Sequence, residues 1–304
     1  MNQLANFPLL DHRCYVSMTM EFRCNLKCVH CMIEGTMDWL VPQTRDAFEE
    51  LLALNAREQR WQGLILTGSE ITLLKDLPEL AGMARSAGFE HIRIQTHGMK
   101  LARKEYLAEL IEAGVDEFFV SVAGADAATH DEITTVHGSF DKTLQGLENI
   151  DAYPHAVSIT NSVVTRRSYQ WLPHIVERLG HLRRLRQMEF WMYWPMRECD
   201  EKDLIPRYGD VLPYLKSAAR RARELERAVE VKNFPECMLG DDADLLVNDQ
   251  PQLYIDENFW PEFMRNGFYQ CRYRLECNAA QCLGLSTAYA TKYGWEEHLL
   301  SPLP

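Results

Sequence analysis

The chain has 304 residues, 46% of them apolar, and carries 32 Lys and Arg against 44 Asp and Glu for a net charge of −12. That apolar content can fill one large domain or a barrel with an appendage, and an acidic chain without a basic stripe argues against a nucleic-acid partner. The opening Met1-Asn-Gln-Leu-Ala-Asn6 has neither the basic start nor the apolar core of a signal peptide, and no apolar run reaches membrane-spanning length.

Strand-like and helix-like segments alternate along the chain. Residues 15–20, 63–67, 91–96, 116–122, 156–165 and 187–194 are short and rich in β-branched or aromatic residues, as buried parallel strands are. Thr44 is placed to cap a helix over Arg45–Glu58, and Gly88, Gly114 and Gly180 stand where helices should stop. Ser168 is expected to cap a helix carrying Trp171, Ile175, Val176 and Leu179, with Pro173 tolerated in its first turn. Six strand–helix units in succession imply an α/β fold with parallel strands, short of the eight units of a closed barrel. A charged helix over 208–230 is expected to close this part. Residues 231–304 show scattered aromatics, acidic turns and four cysteines, so the chain reads as two parts, 1–230 and 231–304.

Nine cysteines in a cytoplasmic chain read as metal ligands rather than disulfides. Three of them crowd one short loop after the first strand, Cys24-Asn-Leu-Lys-Cys28-Val-His-Cys31. Three thiolates can hold three irons of a 4Fe-4S cluster and leave the fourth iron open, whereas such clusters ordinarily take four cysteines. A zinc loop with His30 as fourth ligand is the alternative. Parallel-sheet enzymes place their chemistry at the carboxyl ends of the strands, where this loop lies.

The triad's spacing resembles that of the radical S-adenosylmethionine (SAM) superfamily. The resemblance implies a partial (βα)6 TIM-like barrel with a small C-terminal cysteine-rich extension. It also implies a 4Fe-4S cluster on Cys24, Cys28 and Cys31 whose open iron is chelated by SAM. Reductive cleavage of SAM then yields a 5′-deoxyadenosyl radical that abstracts hydrogen from a substrate. His30 stands where the superfamily has an aromatic residue near the adenine. Gly68-Ser69-Glu70 is similar to the Gly-Gly-Glu that binds the SAM amino group, with serine replacing one glycine. Thr96-His97-Gly98 resembles a Thr-Asn-Gly, Ser121 a strand-four serine that helps hold SAM, and Asn161 a strand-five amide that reaches it. The family's aspartate before Gly124 is Ala123 here, and its arginine further on is Thr134 or Thr135.

A second set, Cys237, Cys271, Cys277 and Cys282, supplies the four thiolates that fully ligate a cluster. It resembles, without matching their spacing, the auxiliary-cluster extensions of the SPASM and twitch subgroups. A structural zinc is again the alternative. Cys14 precedes strand one and reads as a packing residue. Cys199 follows strand six at the chemical end, and a thiol there can donate hydrogen to a substrate radical.

The expected protein is therefore a cytoplasmic radical SAM enzyme acting on a peptide or small-molecule natural-product precursor. Its reaction is expected to be net oxidative, with the second 4Fe-4S cluster taking an electron and a flavodoxin- or ferredoxin-type donor supplying one; no nucleic acid or membrane is involved. Few residues precede strand one, which leaves little room for a leader-binding domain. The alternatives are a redox-neutral epimerase using Cys199, and a non-catalytic iron–sulfur or zinc protein.

Overall fold

The computed structural model describes residues 10–304. Eight strands form one parallel sheet in the order β7-β6-β5-β4-β3-β2-β1-β8. They are β1 (Tyr15–Glu21), β2 (Gly63–Gly68), β3 (His91–Thr96), β4 (Glu117–Ser121), β5 (Val157–Val164), β6 (Leu185–Met192), β7 (Ala228–Lys232) and β8 (Gln252–Tyr254). The first six are those expected from sequence, and the whole is an open, partial TIM-like barrel. Two further strands were not expected. β7 pairs with β6 at one edge, and β8 lies against the outer side of β1 at the other.

Helices α1 (Arg45–Glu58), α2 (Leu77–Ser86), α3 (Lys104–Glu112), α4 (Ala127–Thr134), α5 (Ser139–Ile150), α6 (Leu172–Leu179) and α7 (Tyr208–Glu224) cover the outside. Successive strand residues point to opposite faces. Val16, Met18, Leu64, Leu66, Ile92, Ile94, Phe118 and Val120 therefore pack outward under the helices in one apolar core. Each such side chain contributes about 1.5–3 kcal/mol by leaving water. Thr44 caps α1 by accepting from the Ala47 N–H at 3.2 Å, as its position suggested.

Two local expectations are corrected. The helix expected over 208–230 ends at Glu224, and Glu226 turns through a positive φ of 59°. The alternating Ala228-Val-Glu-Val-Lys232 then pairs as β7, because alternation suits a sheet and not a helix. Ser168 does not cap a helix with its side chain. Its hydroxyl accepts from Thr165 N–H at 2.9 Å and donates to Val163 O at 3.0 Å, closing the turn back onto the end of β5.

The last quarter adds α8 (Glu236–Leu239), α9 (Phe259–Met264) and α10 (Thr287–Tyr293). Among the described residues no helix is long and apolar enough to cross a membrane.

Candidate active site

The cysteine loop leaves the end of β1 and is fixed on both sides by backbone hydrogen bonds. On the β2 side, Ser69 N–H donates to Glu21 O at 2.8 Å and Glu70 N–H to Arg23 O at 3.1 Å. Gly68 makes that approach possible: a Cβ there would meet Glu21 O at 1.9 Å. On the other side, Val29 N–H donates to Ile133 O at 2.9 Å, and the Thr135 hydroxyl to Lys27 O at 3.0 Å, docking the loop on the end of α4. Cys24 Sγ accepts from Leu26 N–H at 3.4 Å.

The three thiols face a cleft of about 880 Å³ at the carboxyl ends of the strands. Burial, reinforced by the neighbouring thiols, pushes Cys28 up to about 12, and burial raises Cys24 and Cys31 as well. Thiols so crowded and desolvated suit a positively charged metal centre, which takes them as thiolates.

The same cleft collects most of the other residues singled out in the sequence: His30, Gly68, Ser69, Thr96, Ser121 and Asn161 all line it, as does His97. Ser121 and Asn161 stand side by side at the ends of β4 and β5. Two polar atoms among them, His30 Nδ1 and Asn161 Oδ1, are buried with no hydrogen-bond partner. Buried polar groups are nearly always paired, so these two fit a bound polar molecule. Three convergent thiols, a glycine cradle and two unpaired polar atoms fit a 4Fe-4S cluster carrying SAM. Burial lowers His30 to about 4, so its ring is neutral, which suits stacking beside a base.

Glu70 is placed differently from the residues around it. It is fully buried and outside the cleft lining. Its carboxylate accepts from Thr72 N–H at 3.0 Å, the Thr72 hydroxyl, the Thr96 hydroxyl at 2.6 Å and His97 N–H at 2.9 Å. His97 Nε2 also stands 3.1 Å from the carboxylate, so Glu70 ties the β2 and β3 loops together. His97 continues this network. Its Nδ1 accepts from Met99 N–H at 3.2 Å, which leaves the proton on Nε2, 2.7 Å from Asn25 Oδ1 in the cysteine loop. No role for His97 could be assigned from sequence; the structure makes it the link between the β3 turn and the cysteine loop.

His130 was not singled out from sequence. It is 1% exposed, lines the cleft, and accepts from Ala123 N–H at 3.2 Å through Nδ1. Burial pushes it down to about 4. The signal available was a histidine four residues past the Asp126 cap, on the first turn of α4.

Cys199 lies outside the cleft lining, partly exposed, with its thiol 3.7 Å from Glu201 Oε1. The structure does not bring it into the lining of the cleft that holds the cysteine triad.

Cys237, Cys271, Cys277 and Cys282 line one separate small cavity of about 30 Å³. Glu236, beside Cys237 on α8, accepts from Gln281 N–H at 2.8 Å and so draws that helix to the Cys282 loop. Cys277 Sγ accepts from Leu303 N–H and Cys282 Sγ from Gly284 N–H, each at 3.3 Å. Gly284 has φ +71° and sits where a Cβ would lie 2.9 Å from Tyr269 Cα, so the turn demands glycine.

The Radical SAM superfamily family model matches residues 19–179. A probable GTP 3′,8-cyclase of Methanopyrus kandleri is 31% identical over 171 residues, covering 56% of this chain and 54% of that one. Fe-coproporphyrin III synthase of Methanosarcina barkeri is 33% identical over 144 residues, covering 46% and 34% respectively. The chain thus spans about half or less of these curated relatives. Streptococcus suis SuiB, in its structure bound to S-adenosylmethionine, shares the fold with a TM-score of 0.64 at 14% identity, over 97% of this chain and 78% of that one. With the family model matching more than half of its length around a triad at the mouth of a partial barrel, the chain belongs to the Radical SAM superfamily and is an enzyme.

Proposed function

We propose that the enzyme abstracts hydrogen from a peptide or small-molecule natural-product precursor and that its net reaction is an oxidation. When bound, the cluster and SAM supply the 5′-deoxyadenosyl radical. The chain's residues do the rest. Cys24, Cys28 and Cys31 hold the cluster, the Gly68-Ser69 turn and Ser121 border the SAM cleft, and His30 and Asn161 offer their unpaired atoms to it. Residues 1–230 carry this radical-generating part, and residues 231–304 add a second metal centre together with the short edge strand β8.

The observation that carries the oxidative reading is the convergence of Cys237, Cys271, Cys277 and Cys282 on one cavity, with backbone N–H groups aimed at two of the sulfurs. Four cysteines complete a 4Fe-4S cluster, and a second cluster can take the electron that an oxidation releases. A flavodoxin- or ferredoxin-type protein is the expected donor for the first cluster. The peptide option draws support from the solved fold relatives, among them SuiB bound to precursor peptide SuiA, which shares the architecture at 15% identity.

Iron and sulfide analysis after anaerobic reconstitution tests this. Wild type should hold about eight irons and eight sulfides per chain, falling to about four of each in Cys271→Ala, Cys277→Ala. About four irons in both proteins, with one zinc lost from the variant, refutes the auxiliary cluster.

A further inference from the structure

A second cavity of about 250 Å³ continues from the SAM cleft into the barrel; Phe22, Gly68, Gln95, Phe119 and Trp191 line both. Closed (βα)8 barrels fill their interiors with branched apolar side chains; this open barrel has a polar floor instead. Arg93, Glu189 and Lys232, on β3, β6 and β7, are 4%, 1% and 3% exposed, yet all three line the cavity. Burying three ionisable side chains is costly unless each is paired or has work to do.

The hydrogen bonds show which groups remain uncommitted. Arg93 Nε donates to Glu117 Oε2 at 2.7 Å, and the guanidinium lies 4.5 Å over the Tyr15 ring. Tyr15 in turn is held by Glu117 at 2.8 Å and fills the space that Gly63 leaves, where a Cβ would stand 2.2 Å from the ring. The two terminal nitrogens of Arg93 have no hydrogen-bond acceptor among the described residues. Gln95 accepts from the Thr67 hydroxyl at 2.6 Å through Oε1, which leaves its NH₂ without an acceptor among the described residues. The Lys232 ammonium donates to Val247 O at 2.7 Å and pairs with Glu230 at 3.5 Å, with one proton to spare. Glu189 already accepts from Gln187 Nε2 and Trp191 Nε1, each at 2.7 Å. The surplus in this cavity is therefore in donors.

We propose that this interior cavity anchors the substrate through a carboxylate, taken by the Arg93 terminal nitrogens with Gln95 and Lys232 as flanking donors. A planar guanidinium with two free N–H arms matches a carboxylate in bidentate geometry. Charge selects the class. Glu117 offsets Arg93, Glu230 is shared between His12 at 2.8 Å and Lys232 at 3.5 Å and so offsets Lys232 only in part, and burial together with Glu230 holds the Glu189 carboxyl toward its neutral form. A floor so balanced accepts one negative charge and disfavours the dianion of a phosphoryl group. The walls above it, Ile65, Phe119 and Trp191, suit an apolar body, which leaves the far end of the substrate toward the SAM cleft. This inference rests on the reading that the radical forms in that cleft.

The probes are 4-fluorobenzoate, 4-fluorobenzamide and 4-fluorophenylphosphonate, titrated by ¹⁹F line broadening onto the anaerobically reconstituted full chain with SAM present. The acid should bind at least tenfold more tightly than the amide or the phosphonate. Arg93→Lys keeps a cation beside Glu117 but loses the fork, and should weaken the acid at least tenfold while leaving the amide unchanged. Lys232→Met should weaken the acid as well, and decides the matter if a thermal melt shows that Arg93→Lys does not fold. Equal binding of acid and amide, or an acid preference that survives both substitutions, overturns the proposal. SAM cleavage by wild type is measured on the same sample. Cleavage without acid preference removes this subsite alone, and acid preference without cleavage removes the radical reading alone.

Discussion

Glu70→Gln separates a residue that holds the loops from one that binds SAM. The glutamate's two oxygens take four donors, two of them backbone N–H groups on different loops, Thr72 and His97. An amide must turn its NH₂ toward one of those N–H groups and leave it buried without an acceptor, at a cost of about 1–3 kcal/mol. The remaining bonds lose their charge assistance, which at about 1 kcal/mol apiece for two or three bonds adds about 2–3 kcal/mol. The sum is about 3–6 kcal/mol. At roughly 2 °C per kcal/mol for a chain of this size, Tm should fall by about 6–12 °C. The assay is an anaerobic thermal melt of the reconstituted protein with and without SAM, beside a direct SAM titration. Most of the loss should already appear in the absence of SAM. An unchanged Tm without SAM together with a tenfold loss of SAM affinity would refute this reasoning and make Glu70 a SAM ligand, as the sequence resemblance implied.

Other substitutions probe the same site. Gly68→Ala forces a Cβ against the backbone oxygen of Glu21; overpacking of about 2–4 kcal/mol should lower Tm by roughly 4–8 °C and reduce the iron retained, and a variant with normal iron and Tm contradicts the clamp between β1 and β2. His130 is buried neutral at about 4 against an unfolded value of 6.5. Its contribution to stability is therefore present above pH 6.5 and is lost as pH falls toward 4. Urea denaturation should show wild type losing about 2 kcal/mol more than His130→Gln between pH 7 and pH 5, and equal losses would show that His130 is not buried neutral. Cys199→Ser should leave both SAM cleavage and product formation intact, because the thiol stands outside the cleft. Product loss with 5′-deoxyadenosine still formed would restore the hydrogen-donor role.

Much of the architecture could be read from the residues because it depends on local signals. The six central strands are short segments rich in β-branched or aromatic residues, Thr44 is an ordinary N-cap, and the cysteine spacing is too specific to need tertiary context. β7 was legible in principle, since Ala228-Val-Glu-Val-Lys232 alternates, but the charged helix before it masked the change of period. β8 has only three residues and exists because β1 offers it an edge, information no local window contains. The hydrogen bonds of Glu70 run to Thr96 and His97, more than 25 residues away, so no local window shows how its carboxylate is held. The polar barrel floor left a visible trace as well. Arg93 and Glu189 lie inside their strands and Glu117 opens its own, and a charge in a buried parallel strand must meet a partner or a ligand.

Reductive cleavage of SAM at Cys24, Cys28 and Cys31 is the step on which the proposed chemistry depends. It is measured by chromatographic quantification of 5′-deoxyadenosine from the anaerobically reconstituted protein with SAM and dithionite, beside Cys28→Ala treated identically. Wild type should yield 5′-deoxyadenosine, and the variant none above the protein-free control. Equal yields from both, or none from a wild type shown to carry its iron, would contradict a cluster on these three cysteines as the source of the radical.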